Sequence, residues 1–337
     1  MTDNKDRTEA YEHIGVIGAG AWGTALALVA ARAGRPVRLW AREPDVVETI
    51  SKSRENTAFL PGATLPATIE ATTDIGLAAD APALLIAAPA QRLRTMLEAV
   101  AKAAPRGIPL VICAKGLEQA TGKLVTEVFA EAAPDHVPAV LSGPSFARDA
   151  AAGLPTAVTI AARMDIARRL QASLSHASFR PYASDDLTGV ALGGAAKNVY
   201  AIASGIVDGM GLGESARAAL LARSFAELAR LGLALGGRSE TLAGLSGLGD
   251  LVLTATSPSS RNFRFGREMG RGRAVKDLLA DGQPLAEGVA TAPALVLRAR
   301  TEGVELPIAE TVTKALAGTL PLDSAILRLM SRPLKSE

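Results

Sequence analysis

Short apolar runs and helix-period stretches alternate through the first half of the chain. His13-Ile14-Gly15-Val16-Ile17 reads as a strand, and an apolar run of helical period follows from Trp22 to Ala33. Gly34 ends that helix, and Pro36-Val37-Arg38-Leu39-Trp40 reads as a second strand. Further apolar runs, each followed by a helical stretch, lie at Ala83–Ala87, Leu110–Ala114, Ala139–Leu141 and Ala157–Ile160. Short, continuously apolar strands alternating with helices predict a parallel sheet covered by helices on both faces. The pattern changes near Ser184. From Leu187 to Gly213 the chain is rich in small residues and compatible with helix, and Ser215–Gly232 is an amphipathic helix. Glu240–Thr256, Asn262–Met269, Val275–Ala280, Ala290–Glu302 and Pro307–Ala317 also read as helices, and no strand-period segment is evident after Tyr182. The predicted organisation is a polar, disordered extension over 1–12, an α/β domain over 13–184 and an all-helical domain over 185–337.

The turn after the first strand is Gly18-Ala19-Gly20-Ala21-Trp22-Gly23, a full GxGxxG. Alone such a motif is weak, but here a strand precedes it, a helix follows and a second strand lies beyond. Gly18 suits the tight turn, bare Gly20 lets the backbone approach a pyrophosphate, and Gly23 lets the helix pack on the strand. The helix start at Ala21 and Trp22 adds N–H donors and the positive end of a dipole. These features predict a Rossmann-type, doubly wound dinucleotide-binding domain. The second strand ends in Trp40-Ala41-Arg42-Glu43, where an NAD site usually places an acid. Arg42 suits a 2′-phosphate instead, which favours NADP(H). Glu43 keeps NAD(H) open, since a shift of one residue at the strand end brings it into range.

Composition narrows the function classes. The 337 residues carry 36 Lys and Arg against 34 Asp and Glu, a balance unlike that of a protein built to coat nucleic acid or an anionic membrane. One cysteine, Cys113, excludes an intrachain disulfide, and its place in an apolar strand reads as core rather than nucleophile. The three histidines are scattered without metal-site spacing, so no metal is expected. The hydrophobic fraction of 48% raises the question of a membrane span. Uncharged apolar stretches such as Ala81–Ala90 are about half the ~20 residues a span needs, and Met1–Glu12 lacks the apolar core of a signal peptide. A cytoplasmic protein with no membrane span and no nucleic-acid partner is the expectation, with a homodimer left open.

Several polar groups break the apolar pattern. Lys115 follows directly on a predicted strand, at the carboxyl end where such sheets bind ligands. Ser142-Gly143-Pro144-Ser145 follows another strand end. Lys197-Asn198 lies in a small, apolar helical run, and Asp250 sits in Gly247-Leu248-Gly249-Asp250-Leu251. A lysine and an aspartate in such surroundings need charge partners, and each taken singly also fits a structural ion pair. Ser259-Ser260-Arg261-Asn262 precedes a helix, which offers either an ordinary N-cap or an anion site.

These blocks, in this order, resemble the NAD(P)-dependent glycerol-3-phosphate dehydrogenases of the bacterial type. The similarity runs from His13 to Arg332. It is carried by Gly18–Leu26, Ala114-Lys115-Gly116-Leu117, Leu141–Ala147, Leu192–Asn198, Gly247–Leu251, and Ser260-Arg261-Asn262 with Phe265-Gly266. The resemblance implies reversible hydride transfer between NAD(P)H and dihydroxyacetone phosphate, giving sn-glycerol 3-phosphate for glycerophospholipid synthesis. It implies Lys197 as proton donor and acceptor, Lys115 as a second cation that polarises the carbonyl, and Asp250 as the group that orients Lys197. Asn198, Gly143, Ser145, Ser260, Arg261 and Asn262 are implied in substrate binding. Lys115, Arg261, Ala147, Leu285 and Glu287 are implied in cofactor contact, beside Gly18, Gly20, Ala21, Trp22, Gly23 and Arg42. Two rival readings stay open: another two-domain dehydrogenase of ketopantoate, 6-phosphogluconate or 2-hydroxyacid type, and a dinucleotide-binding protein without catalysis.

Overall fold

The computed structural model describes residues 9–280 and 286–325, and these divide into two compact units. The first comprises the chain to Lys115 together with Val125–Ala191; the second comprises Gly116–Leu124 and the chain from Leu192. The expected division at 184/185 thus differs on two counts. The observed junction lies inside a helix, Leu187–Gly209, and the short segment Gly116–Leu124 packs with the second unit, where Leu117 and Leu124 are buried. The expected extension over 1–12 falls partly outside the described residues, but its end is anchored. Tyr11 is buried, its N–H donates to Ser173 Oγ at 2.8 Å, and the Arg169 guanidinium stacks over its ring.

Among its described residues the first unit forms ten strands: β1 Ile14–Ile17, β2 Val37–Trp40, β3 Glu55–Asn56, β4 Leu60–Thr64, β5 Ile69–Thr72, β6 Leu84–Ile86, β7 Pro109–Ile112, β8 Val137–Ser142, β9 Thr156–Ala161 and β10 Phe179–Ser184. Eight of them make one sheet in the order β10-β9-β8-β7-β6-β1-β2-β5, while β3 and β4 form a separate antiparallel hairpin. The apolar strands serve two cores at once. Leu84, Ile86, Leu110 and Ile112 point into one cluster, with Leu93, Leu97 and Phe129; Leu85 and Val111 point into the other, with Leu26, Ala30 and Leu170. Period-two side chains buried on both faces explain why these runs carry no polar residue. The doubly wound fold class is therefore the observed one, with a reversal at one edge. β9 runs antiparallel to β8, and β10 runs parallel to β9. The helix between β8 and β9, Ala147–Ala152, has six residues. At about 9 Å it is too short to return the chain along a strand of roughly 20 Å. The edge strands β5 and β10 carry polar residues, and Pro181 sits in β10, which is why the apolar pattern misses them.

Among the described residues no strand follows Ser184. The second unit is organised on Leu187–Gly209, a 23-residue helix. By length and composition this helix is apolar enough to cross a membrane, longer than the apolar pattern led one to expect; its apolar window is 94% buried. Glycines let other backbones touch it. A Cβ on Gly205 would lie 2.1 Å from Phe263 O, one on Gly266 2.0 Å from Ile202 O, and one on Gly193 2.5 Å from Ser246 O. The expected single helix Glu240–Thr256 is instead broken into Ser239–Ala243, a π-helical turn over Leu245–Gly249, and Asp250–Thr256. Glycines at 244, 247 and 249 weaken the helix there, and Gly247 packs so closely that its Cβ would sit 1.9 Å from Leu242 O.

Glu227, on helix Glu214–Ala234, is buried in this unit and was not singled out by the pattern. It caps helix Pro307–Leu316: Oε1 accepts from Ile308 N–H at 2.7 Å, and Oε2 accepts from Ala309 N–H and from the Tyr200 hydroxyl, each at 3.3 Å. Burial pushes the carboxyl up from 4.5 to about 7, while the two N–H donors pull the other way. A folded-state value above the unfolded one means the folded chain holds the proton more tightly. This contribution to stability is complete below pH 4.5 and is lost as the pH rises through about 7. Urea unfolding from pH 4.5 to 7.5 is expected to show a loss on the order of 3 kcal/mol from this group. In Glu227→Gln that part of the pH dependence is expected to be flat.

Candidate active site

β1 runs into the glycine turn. Gly18 has φ 110°, a left-handed conformation that favours glycine, and a Cβ there would lie 2.9 Å from Ala87 O. Gly23 is fixed by packing, since its Cβ would sit 1.8 Å from Gly18 O. Gly20 is the N-cap of helix Ala21–Arg32 and makes no side-chain cap; a Cβ on it would meet nothing within 4 Å. The open side of the turn is thus bare backbone at a helix N-terminus, with the half-buried Ala21 and Trp22 in the first helical turn. That cradle fits the pyrophosphate of a dinucleotide. Arg42 lies beyond the end of β2 with an exposed side chain, and its Nε and Nη2 donate to Glu43 Oε1 at 2.9 and 2.5 Å. Glu43 itself is the N-cap of helix Pro44–Ser53, beyond the strand end.

Also in the first unit, Lys115 Nζ donates to Gly143 O at 2.9 Å, and Ser145 Oγ donates to the same carbonyl at 3.0 Å. Gly143 has φ 141° and lies so close to β9 that a Cβ would be 2.9 Å from Val158 Cα. Ala147 opens the helix that follows. Lys115, Gly143, Ser145 and Ala147 are therefore gathered at the carboxyl ends of β7 and β8. Cys113 is buried, and burial pushes its thiol up to about 12, which keeps it protonated core material.

The second unit buries a charged pair. Lys197 Nζ is hydrogen-bonded to Asp250 Oδ1 and donates to Thr254 Oγ1 at 2.9 Å; Thr254 Oγ1 donates to Asp250 Oδ1 at 3.2 Å. Lys197 is 6% exposed and Asp250 0%. Neither charge could be buried singly at tolerable cost. The π-helical turn just before Asp250 delivers its carboxylate to the central helix, a role such turns often play at functional sites. Next along that helix, Asn198 Oδ1 accepts from Asn262 Nδ2 at 2.9 Å, and Asn262 Oδ1 accepts from Gly288 N–H at 2.9 Å. Ser260 is the N-cap of helix Arg261–Gly270, its Oγ accepting from Phe263 N–H at 3.2 Å, and Arg261 is exposed at the first helical position. Glu287 begins helix Glu287–Thr301; Leu285 lies outside the described residues. Thr254 was missed by the pattern. Its signal was the four-residue spacing from Asp250, which places both on one face of a helix.

A glycine turn on a doubly wound sheet, joined in one chain to a helical unit with a buried lysine–aspartate pair, defines the class of two-part, dinucleotide-dependent dehydrogenases. Residues 13–167 match the NAD-dependent glycerol-3-phosphate dehydrogenase N-terminus, and residues 186–327 match the C-terminus of the same family. The chain is 54% identical over 331 residues to a glycerol-3-phosphate dehydrogenase (NAD(P)+) of Parvibaculum lavamentivorans, covering 98% of this chain and 99% of the relative. It is 56% identical over 328 residues to one of Bradyrhizobium sp. strain ORS 278, covering 97% and 98%. The crystal structure of glycerol-3-phosphate dehydrogenase from Coxiella burnetii superposes with a TM-score of 0.90 at 37% identity, covering 95% of this chain and 99% of that one. The chain belongs to the NAD-dependent glycerol-3-phosphate dehydrogenase family. It is thus an NAD(P)-dependent oxidoreductase acting on a CH–OH group.

The asparagine relay is testable without turnover. Asn262→Ala removes the side-chain acceptor of the buried Gly288 N–H and one donor to Asn198 Oδ1. Urea denaturation is expected to show a loss of about 1–3 kcal/mol.

Proposed function

We propose that this chain catalyses the reversible reduction of dihydroxyacetone phosphate to sn-glycerol 3-phosphate in the cytoplasm, supplying glycerophospholipid synthesis. The observation that carries this reading is the buried Lys197–Asp250–Thr254 cluster in a chain whose relatives of the same length carry that activity in their names. When bound, NAD(P)H supplies the hydride that the substrate's carbonyl carbon accepts. The carbonyl oxygen then becomes an alkoxide, which needs a proton and positive surroundings.

Lys197 is the proton donor in reduction and, as the neutral amine, the acceptor in oxidation. Asp250 stabilises the ammonium form and, with Thr254 Oγ1, fixes the direction of Nζ. Asn198 and Asn262 hold one another and thereby the start of helix Arg261–Gly270. Ser260, Arg261 and Asn262, at that helix start, suit the substrate phosphate through charge-assisted hydrogen bonds and the helix dipole. In the first unit the glycine turn holds the dinucleotide, and Lys115 with Gly143 and Ser145 supplies a further cation and polar contacts. Ala147, Leu285 and Glu287 are assigned to cofactor contact. Arg42, exposed beyond the end of β2, would hold the ribose 2′-phosphate through charge-assisted hydrogen bonds, which favours NADPH as reductant.

Oxidation of NADPH and NADH is followed with dihydroxyacetone phosphate and, separately, with ketopantoate and other 2-keto acids. Turnover confined to a keto acid overturns the reading. Lys197→Ala is expected to lower kcat by about 10³-fold or more, with dinucleotide affinity within about twofold of the parent. Titration of Arg42→Ala is expected to show NADPH binding weakened about tenfold and NADH binding little changed; equal losses for both remove the 2′-phosphate assignment.

A further inference from the structure

Asn56 lies on β3, in the hairpin that follows helix Pro44–Ser53, and has no role in the reading above. It is 1% exposed. Its Nδ2 donates to Ala19 O and to Thr24 Oγ1, each at 2.8 Å, and its Oδ1 accepts from Phe59 N–H at 3.3 Å. Ala19 is the second residue of the glycine turn, and Thr24 directly follows it. Thr24 Oγ1 also donates to Ala19 O at 3.4 Å, so carboxamide, hydroxyl and carbonyl close into one buried triangle. Asn56 reaches this place through an uncommon backbone turn. Arg54, two residues earlier, has φ 56°, the one positive φ outside glycine among the described residues. The turn is held by Arg54 N–H to Ile50 O at 3.0 Å, Leu65 N–H to Arg54 O at 2.7 Å, and guanidinium bonds to Leu65 O at 3.1 Å and Ile69 O at 2.8 Å. A disfavoured conformation kept in place by so many bonds suits a residue that must be delivered accurately.

A trans peptide points its C=O and its N–H in opposite directions. By holding Ala19 O inward, Asn56 therefore turns the N–H of Gly20 outward, at the residue where an added Cβ meets no atom within 4 Å. If that peptide rotated, a carbonyl dipole would face an anion at the helix N-terminus in place of a donor. We propose that Asn56 is a positioning residue for the dinucleotide pyrophosphate, which locks the Ala19–Gly20 peptide in the anion-binding orientation. This rests on the reading of the glycine turn as a dinucleotide cradle.

The test is fluorescence or calorimetric titration of the full chain with NADH and with ADP-ribose, which carries the pyrophosphate but no nicotinamide. Asn56→Asp keeps the side-chain shape but sets a carboxylate against Ala19 O. It is expected to raise the Kd for both ligands about tenfold or more. The kcat at saturating cofactor and the KM for dihydroxyacetone phosphate are expected to stay within about twofold. Thr24→Val removes one corner of the triangle and leaves the Asn56–Ala19 bond; its Kd for ADP-ribose is expected to rise about threefold. A well-folded Asn56→Asp chain with unchanged affinity overturns the proposal. So does a fall in kcat as large as the fall in affinity. Should Asn56→Asp not fold, an unchanged Kd in Thr24→Val overturns it. A parent chain that binds neither NADH nor ADP-ribose removes the dinucleotide reading itself, a failure distinct from that of Asn56.

Discussion

Backbone touches backbone around helix Leu187–Gly209, and the second unit depends on that contact. At Gly193, Gly205, Gly266 and Gly288 an added Cβ would come within 2.0–2.5 Å of a neighbouring main-chain oxygen. No rotamer change relieves such a clash, because the obstructing atom is itself main chain. The close approach carries helices Arg261–Gly270 and Glu287–Thr301 and the turn before Asp250 against one central rod. Lys197 and Asn198 are presented from that rod to the three neighbours together. The polar residues of the site are thus arranged by glycines that have no chemistry of their own.

The buried charges follow from the same packing. Lys197 can stay in an apolar helix because Asp250 and Thr254 meet it there, and Asp250 can be wholly buried because Lys197 does the same for it. Glu227 solves a similar problem differently. Its hydrogen-bond partners are two helix N–H groups and a phenol, with no cation among them, and its proton affinity rises. One unit therefore holds a buried carboxylate paired with a lysine and another whose partners are all dipoles and whose carboxyl is pushed up to about 7.

In the first unit the controlling feature is the sheet buried on both faces. It requires uninterrupted apolar strands, so polar residues are pushed to the strand ends, where Lys115, Gly143 and Ser145 gather and where β1 enters the glycine turn. The turn is supported from behind by Asn56, which arrives from a hairpin more than thirty residues away along the chain. Bare backbone facing outward and a polar clamp facing inward are two sides of the same peptide.

The strands and helices of the centre were legible because burial on both faces imposes local patterns, apolar runs for β1, β2, β6, β7 and β8, and helical period for Ser215–Gly232. The GxGxxG turn was legible from its own spacing between a strand and a helix; in the fold Gly18 takes a positive φ, Gly23 packs on Gly18 O, and Gly20 leaves its side of the turn open. Lys115, Lys197, Asn198 and Asp250 stood out as polar residues in apolar surroundings, though their partners did not. What tertiary structure alone decided were matters of distance in space between segments far apart in sequence. These include the reversal of β9, the edge strands β5 and β10, the break in Glu240–Thr256, the packing of Gly116–Leu124 with the helical unit, and the company kept by Asn56, Thr254 and Glu227. A single asparagine, threonine or glutamate reads like any solvated polar residue until the fold removes water from it. Its meaning then lies in which donors and acceptors the packing has left within 3 Å or so, and periodicity along the chain carries no record of that.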